Sequence, residues 1–179
     1  SVGPLEESSI YAVVFREVLG FDVADGGTLV KRLRAEISQN RRGRVRLVAA
    51  AHAPYSVAPA LFVALRRAVA DGSLPGPLSV HLAESLEELE FLRSGTGPWR
   101  AILEERGRWN PSWHPPGEGP VEYLERLGWV KCDTLIVHGV HLTRAELNRL
   151  ARAGATLVTC PRSNVWTGAG VPPEALFYA

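Results

Sequence analysis

Little in this chain leans to one side. Its 20 basic side chains are matched by 19 acidic ones and the two signs are interleaved, so it lacks the electrostatic footprint that a nucleic-acid polymer or an anionic membrane would select. The one basic excess, "KRLRAEISQNRRGRVR", has the period of an amphipathic helix running into a loop and reads as a solvated face. Long apolar runs are missing too. Arg, Pro or Gly breaks each hydrophobic stretch before it could span a bilayer, and nothing resembles a signal peptide. These absences exclude a membrane or polynucleotide partner and point to a cytoplasmic protein with a small-molecule substrate. There are only two cysteines, Cys132 and Cys160, at neither metal-finger nor oxidoreductase spacing, and they need not pair. Cys160 has no evident partnering base and reads as a buried structural residue. Gly168 and Gly170 in "WTGAGVPP" lack the surroundings of a phosphate-binding loop and read as a turn.

What is present is a repeated beat. With 179 residues, 46% of them apolar and 22% charged, the chain is long enough for one substantial core. "YAVVFREVLGF", "RVRLVAAAHAPYS", "LSVHLAES", "DTLIVHGV" and "TLVTCPRSN" read as strands. Between them lie the helical patterns "GTLVKRLRAEISQ", "SVAPALFVALRRAVADG", "LEELEFLRSG" and "TRAELNRLARAGA". Nearly all-apolar strands alternating with amphipathic helices imply a parallel sheet covered on both faces, hence an α/β fold. One segment breaks the beat: an insertion-like loop over residues 95–119, rich in Pro, Gly and Trp. In an α/β barrel such a loop overhangs the mouth. Trp109 and Trp113 there either line a substrate pocket or pack the loop onto the barrel wall, and His114 reads as a surface residue.

The strand ends carry the chemistry. Histidine closes three strands in succession: His52 in "AAAHAPYS", His81 in "SVHLAE" and His138 in "LIVHGV". The C-terminal ends of parallel strands face one mouth, so the three imidazoles should converge, an arrangement that suits zinc. Glu84, three residues beyond His81, is placed to shuttle protons beside a metal rather than to bind it.

"HLAES" with "EELEFL", "VHGVHLT" and "ELNRLARAGATLVTCPRSN" together resemble the amidohydrolase superfamily. Within it the match is to the metal-dependent aminohydrolases, which include chlorohydrolases, guanine deaminases and deaminases of adenosine-like nucleosides. The resemblance runs from "FREVLGF" to "GAGVPP" and implies strands 3 to 7 of a (β/α)8 barrel. It implies that His81 is a zinc ligand, with iron or another divalent metal as the alternative, and that Glu84 is the proton shuttle. His138 would orient the hydrolytic water or bind a second metal, and His52 would contact substrate. His141 would sit in a loop behind the site. Arg16 either points into the mouth toward a substrate carboxylate or pairs with Glu17 at the surface. Asn164 either positions substrate or holds its loop.

The family's HxH pair on strand 1 and its aspartate on strand 8 have no counterpart here. A barrel also needs about 250 residues. Residues 1–179 are therefore expected to form one partial barrel domain with unpaired sheet edges, unless a partner such as a second copy in a homodimer covers them. The function implied is zinc-dependent deamination of an amino-substituted heterocycle, foremost an adenine-bearing nucleoside of the aminodeoxyfutalosine, methylthioadenosine or S-adenosylhomocysteine type. Guanine or triazine substrates are alternatives, as is an inactive barrel fragment serving as an interaction module.

Overall fold

The computed structural model describes residues 2–39, 43–173 and 175. A short α1 (Gly3–Glu6) precedes β1 (Ala12–Val18), α2 (Gly26–Gln39), β2 (Val45–Ala51), α3 (Pro59–Ala70) and β3 (Leu78–Leu82). Then come α4 (Leu86–Ser94), α5 (Pro98–Glu105), α6 (Pro120–Arg126), β4 (Thr134–His138), α7 (Arg144–Ala153), β5 (Thr156–Val158) and α8 (Pro161–Trp166). The loop entered by the basic run at the end of α2, residues 40–42, lies outside the described residues.

All five strands are parallel and stand in sequential order, β1 to β5. The reason is in the strands themselves. β2 reads VRLVAAA and buries every side chain except Arg46, so both faces need cover, and right-handed helical crossovers supply it. Helix limits follow local chemistry. Ser85 caps α4 by accepting from the Glu88 N–H, and Gly95 ends it at φ 69°, a left-handed conformation open to glycine at little cost. Thr143 and Glu146 form a reciprocal capping box at the start of α7.

The main core lies between the sheet and its helices. Leu61, Phe62 and Leu65 of α3 are each 0% exposed, a burial that stabilises by about 1.5–3 kcal/mol per side chain. Trp129 packs edge-on against Phe62 and donates its indole N–H to the Phe62 carbonyl at 2.8 Å. The Arg66 guanidinium grips Asp133 with two bonds of 2.7 and 2.6 Å, tying α3 to the turn that launches β4. A second apolar cluster holds Phe21, Tyr55, Phe91 and Trp113, with Trp99, Leu103 and Trp109 packed against it.

Two expectations need correction here. "TLVTCPRSN" is a strand only through Val158, because Pro161, with its fixed φ and missing N–H, opens α8. Cys160 is the residue before that helix and is half-buried rather than buried. Residues 95–119 include α5, which occupies eight of them.

Candidate active site

The C-terminal ends of β1 to β4 open on one mouth, and the strand-end histidines meet there. The His52 and His81 rings lie 5.2 Å apart between centroids, and His81 and His138 lie 5.0 Å apart. Each ring has a partner that fixes its orientation. His52 Nδ1 is 2.7 Å from the Ser56 hydroxyl, His81 Nε2 is 2.9 Å from Glu17 Oε1, and His138 Nδ1 is 2.7 Å from Asn164 Oδ1. Burial, reinforced by the neighbouring His81, holds the His52 imidazole below its ordinary value, so the neutral ring is favoured.

Glu84 follows β3 and brings Oε2 to 3.5 Å from His138 Nε2, with its side chain 23% exposed. With Asn164 Oδ1 accepting from Nδ1–H, Nε2 of a neutral His138 turns its lone pair toward this carboxylate. The backbone that delivers them is unusual, because Ala83 and His138 are the two non-glycine residues with positive φ among the described residues, at 51° and 77°. The two turns are stitched together by Gly139 N–H to the Leu82 carbonyl and His141 N–H to the Ala83 carbonyl, both 3.0 Å.

Glu17, His52 and His81 offer one carboxylate oxygen and two imidazole nitrogens within 4.8 Å of one another. That donor set suits a divalent ion of the zinc type. His81 keeps its buried Nδ1 without a hydrogen-bond partner, leaving one ring nitrogen unused. The residues present therefore fit a metal.

Beside Glu84 a cavity of about 510 Å³ is lined by Tyr55, Trp99, His141 and Thr167. A second, of about 530 Å³, opens beside His52 and is lined by Phe21, Leu103, Arg106 and Arg108. The Tyr55 and Trp99 rings, stacked at 3.8 Å and 8°, form a wall common to both. Burial and the carboxylates of Glu88, Glu84 and Glu17 hold the Tyr55 phenol above its ordinary range, so it stays a hydroxyl. His141, a loop residue bonded to the Ala169 carbonyl at 3.0 Å, reaches the first cavity from the far side.

Two residues left with alternatives by the sequence, Arg16 and Asn164, have defined places in the structure. Arg16 does not enter the mouth. Adjacent strand residues face opposite ways, so with Glu17 on the histidine side Arg16 turns outward and pairs with Glu36 of α2 at 2.7 Å. Asn164 is 0% exposed and its side-chain oxygen lies 2.7 Å from His138 Nδ1, which fixes the orientation of that ring. Trp109 and Trp113 pack against Phe21 and Phe91, while exposed His114 bonds only to the Ser112 carbonyl. Glu17 and Glu88 were not singled out in the sequence. Glu17's signal was its place one residue after Arg16 on an amphipathic strand.

A parallel, helix-covered sheet in sequential order, with imidazoles and carboxylates gathered at its C-terminal edge, defines the class: an α/β protein built as a segment of a barrel. The chain belongs to the amidohydrolase family, whose model matches residues 6–173. It is 38% identical over 133 residues to the aminodeoxyfutalosine deaminase of Deinococcus radiodurans, covering 69% of this chain and 30% of that protein. The Helicobacter pylori aminofutalosine deaminase, solved with methylthio-coformycin, superposes with a TM-score of 0.82 at 26% identity, covering 99% of this chain and 43% of that one. An adenosine deaminase of Xanthomonas campestris solved with bound zinc shares the fold, with a TM-score of 0.70 at 24% identity over 94% of this chain and 34% of that one. The chain thus spans about a third of the length of the curated relatives it matches.

Proposed function

We propose that this chain carries the central part of the catalytic site of a hydrolytic deaminase acting on an adenine-bearing nucleoside, releasing ammonia and leaving an oxo-purine. The observation that carries the reading is Glu84 held 3.5 Å from His138, beside the Glu17, His52 and His81 cluster. His81 would hold a zinc ion, which supplies water acidic enough to attack at neutral pH. Everything else falls to the chain's own side chains. Glu84 accepts one proton of the attacking water and delivers it to the ring nitrogen, then takes the remaining hydroxyl proton and delivers it to the departing amine. His138, fixed by Asn164, hydrogen-bonds and aims that water at the carbon bearing the amino group. His52, favoured in its neutral form and steadied by Ser56, contacts the substrate. The flat Tyr55–Trp99 wall gives a purine a surface to stack on. Resemblance to nucleoside deaminases favours adenine-bearing substrates over guanine or triazines.

Glu84→Gln in the full chain tests this. Ammonia release is measured on a panel of adenine-bearing nucleosides, guanine and a triazine, with metal content read by mass spectrometry. The substitution should lower kcat by about 10²–10⁴-fold, the worth of a positioned general acid–base, and leave metal content unchanged. Wild-type turnover persisting in this variant would exclude Glu84 as the proton carrier, and silence of the wild type on the whole panel would exclude the deaminase reading.

A further inference from the structure

Glu88 lies in the first turn of α4 and is 0% exposed, a rare setting for a carboxylate. Its oxygens accept two backbone bonds, Oε1 from Ala83 N–H at 2.9 Å and Oε2 from Glu84 N–H at 3.2 Å. Those two N–H groups point together because Ala83 is left-handed, at φ 51°, a conformation that a residue with a Cβ keeps only when its surroundings hold it. The Ala83 carbonyl accepts from His141 N–H at 3.0 Å, so the turn is gripped on both sides.

This is not ordinary helix capping. A glutamate at the third helical position usually reaches back to the N–H of the capping residue, which here is Ser85. Glu88 instead reaches one and two residues further, past the cap, to the peptides on either side of Ala83. Ser85 already caps the helix by accepting from Glu88 N–H at 3.4 Å. What the Glu88 side chain holds is therefore the turn that presents Glu84.

We propose that Glu88 is a positioning residue: its paired oxygens fix the left-handed turn at Ala83 and so aim Glu84 into the site. The inference rests on the reading of Glu84 as proton carrier. Burial opposes the bare charge strongly enough to push the Glu88 carboxyl up to about 8 despite both N–H donors. Such a group sits poorly as a mere stability device.

The test is Glu88→Gln in the full chain, read by hydrogen–deuterium exchange of the 82–85 peptide, by kcat and KM, and by metal content. Glutamine offers one acceptor oxygen and an NH2 in place of the other, so one of the two peptide bonds must be lost. Exchange at Ala83 and Glu84 should accelerate and kcat should fall by about 10²-fold, the cost of a catalytic group displaced by roughly an ångström. KM and metal content should stay at wild-type values. If this variant does not fold, Glu88→Asp, which keeps the carboxyl but is too short to span both N–H groups, carries the same readings. Unchanged exchange would overturn Glu88's hold on the turn whatever the activity. Accelerated exchange with wild-type kcat would make the contact purely structural and overturn the inference. Full activity in Glu84→Gln would instead remove the proton-carrier reading and this proposal with it.

Discussion

Replacing Asn164 by Ala isolates one contact of the site. The Asn164 side chain is fully buried, and its Oδ1 lies 2.7 Å from His138 Nδ1, on a ring that is itself only 6% exposed. Truncation leaves a buried imidazole N–H without its acceptor, which costs about 1–3 kcal/mol of stability. It also frees the ring to turn about its bond to the strand, and a misplaced catalytic group costs about 10²-fold in kcat. The backbone part of the residue is untouched, because the Asn164 carbonyl still accepts from Ala169 and Gly170 N–H at 2.8 and 3.3 Å. The loop after α8 therefore keeps its anchor, and the loss belongs to the side chain alone. Urea unfolding and ammonia-release kinetics of Asn164→Ala in the full chain measure the two effects separately. Val165→Ala, at a position 63% exposed on the same helix, serves as the control and should behave as wild type. Loss of stability with kcat intact would refute the reasoning, since it would show that His138 needs no fixed orientation.

Glu17→Gln should weaken zinc binding by about 10–100-fold, because the carboxylate that orients His81 at 2.9 Å is lost, and titration against a chromophoric chelator would detect it. Asp133→Asn should destabilise the fold at neutral pH by about 1–2 kcal/mol, the worth of a charge-assisted pair discounted for screening at the exposed edge of Asp133. The Arg66 bond holds the Asp133 carboxyl below its ordinary 3.8, so its contribution is complete above that value and disappears as pH falls through the depressed one. The wild-type stability curve should show this acid loss and the Asn variant should lack it, as denaturant titrations between neutral and acid pH would show.

The architecture was legible because every level of the sequence agreed on it. β2 is almost wholly apolar, so it had to be covered on both faces. Helices with cap residues at their starts and glycines at their ends stood between the strands. Parallel order then required His52, His81 and His138 to share one edge, and their ring separations of 5.2 and 5.0 Å follow from neighbouring strands. β1 was harder. Its burial alternates only weakly, with exposed residues on both faces, so the pattern could not say whether Arg16 or Glu17 points inward. One residue of register decided whether a cation or an anion stands beside His81.

Side chains whose constraint is chemical, the histidines and Glu84, announce themselves by type and spacing. Those whose constraint is local geometry do not. In "LEELEFL" Glu88 looks like one more charge on an amphipathic helix, and only the left-handed Ala83 reveals why it turns inward. In "CPRSN" Asn164 looks like a loop residue. Pro161 opens a helix where the apolar run had suggested strand, and nothing local could say that this helix aims an amide at His138 across 26 residues of sequence. Both residues act at second hand, one on the backbone of Glu84 and the other on the ring of His138. Since the Leu82 and Ala83 carbonyls also bind the N–H groups of Gly139 and His141, the two supports brace one unit rather than two. The 3.5 Å separation of Glu84 and His138 is therefore set from behind by buried residues outside the mouth.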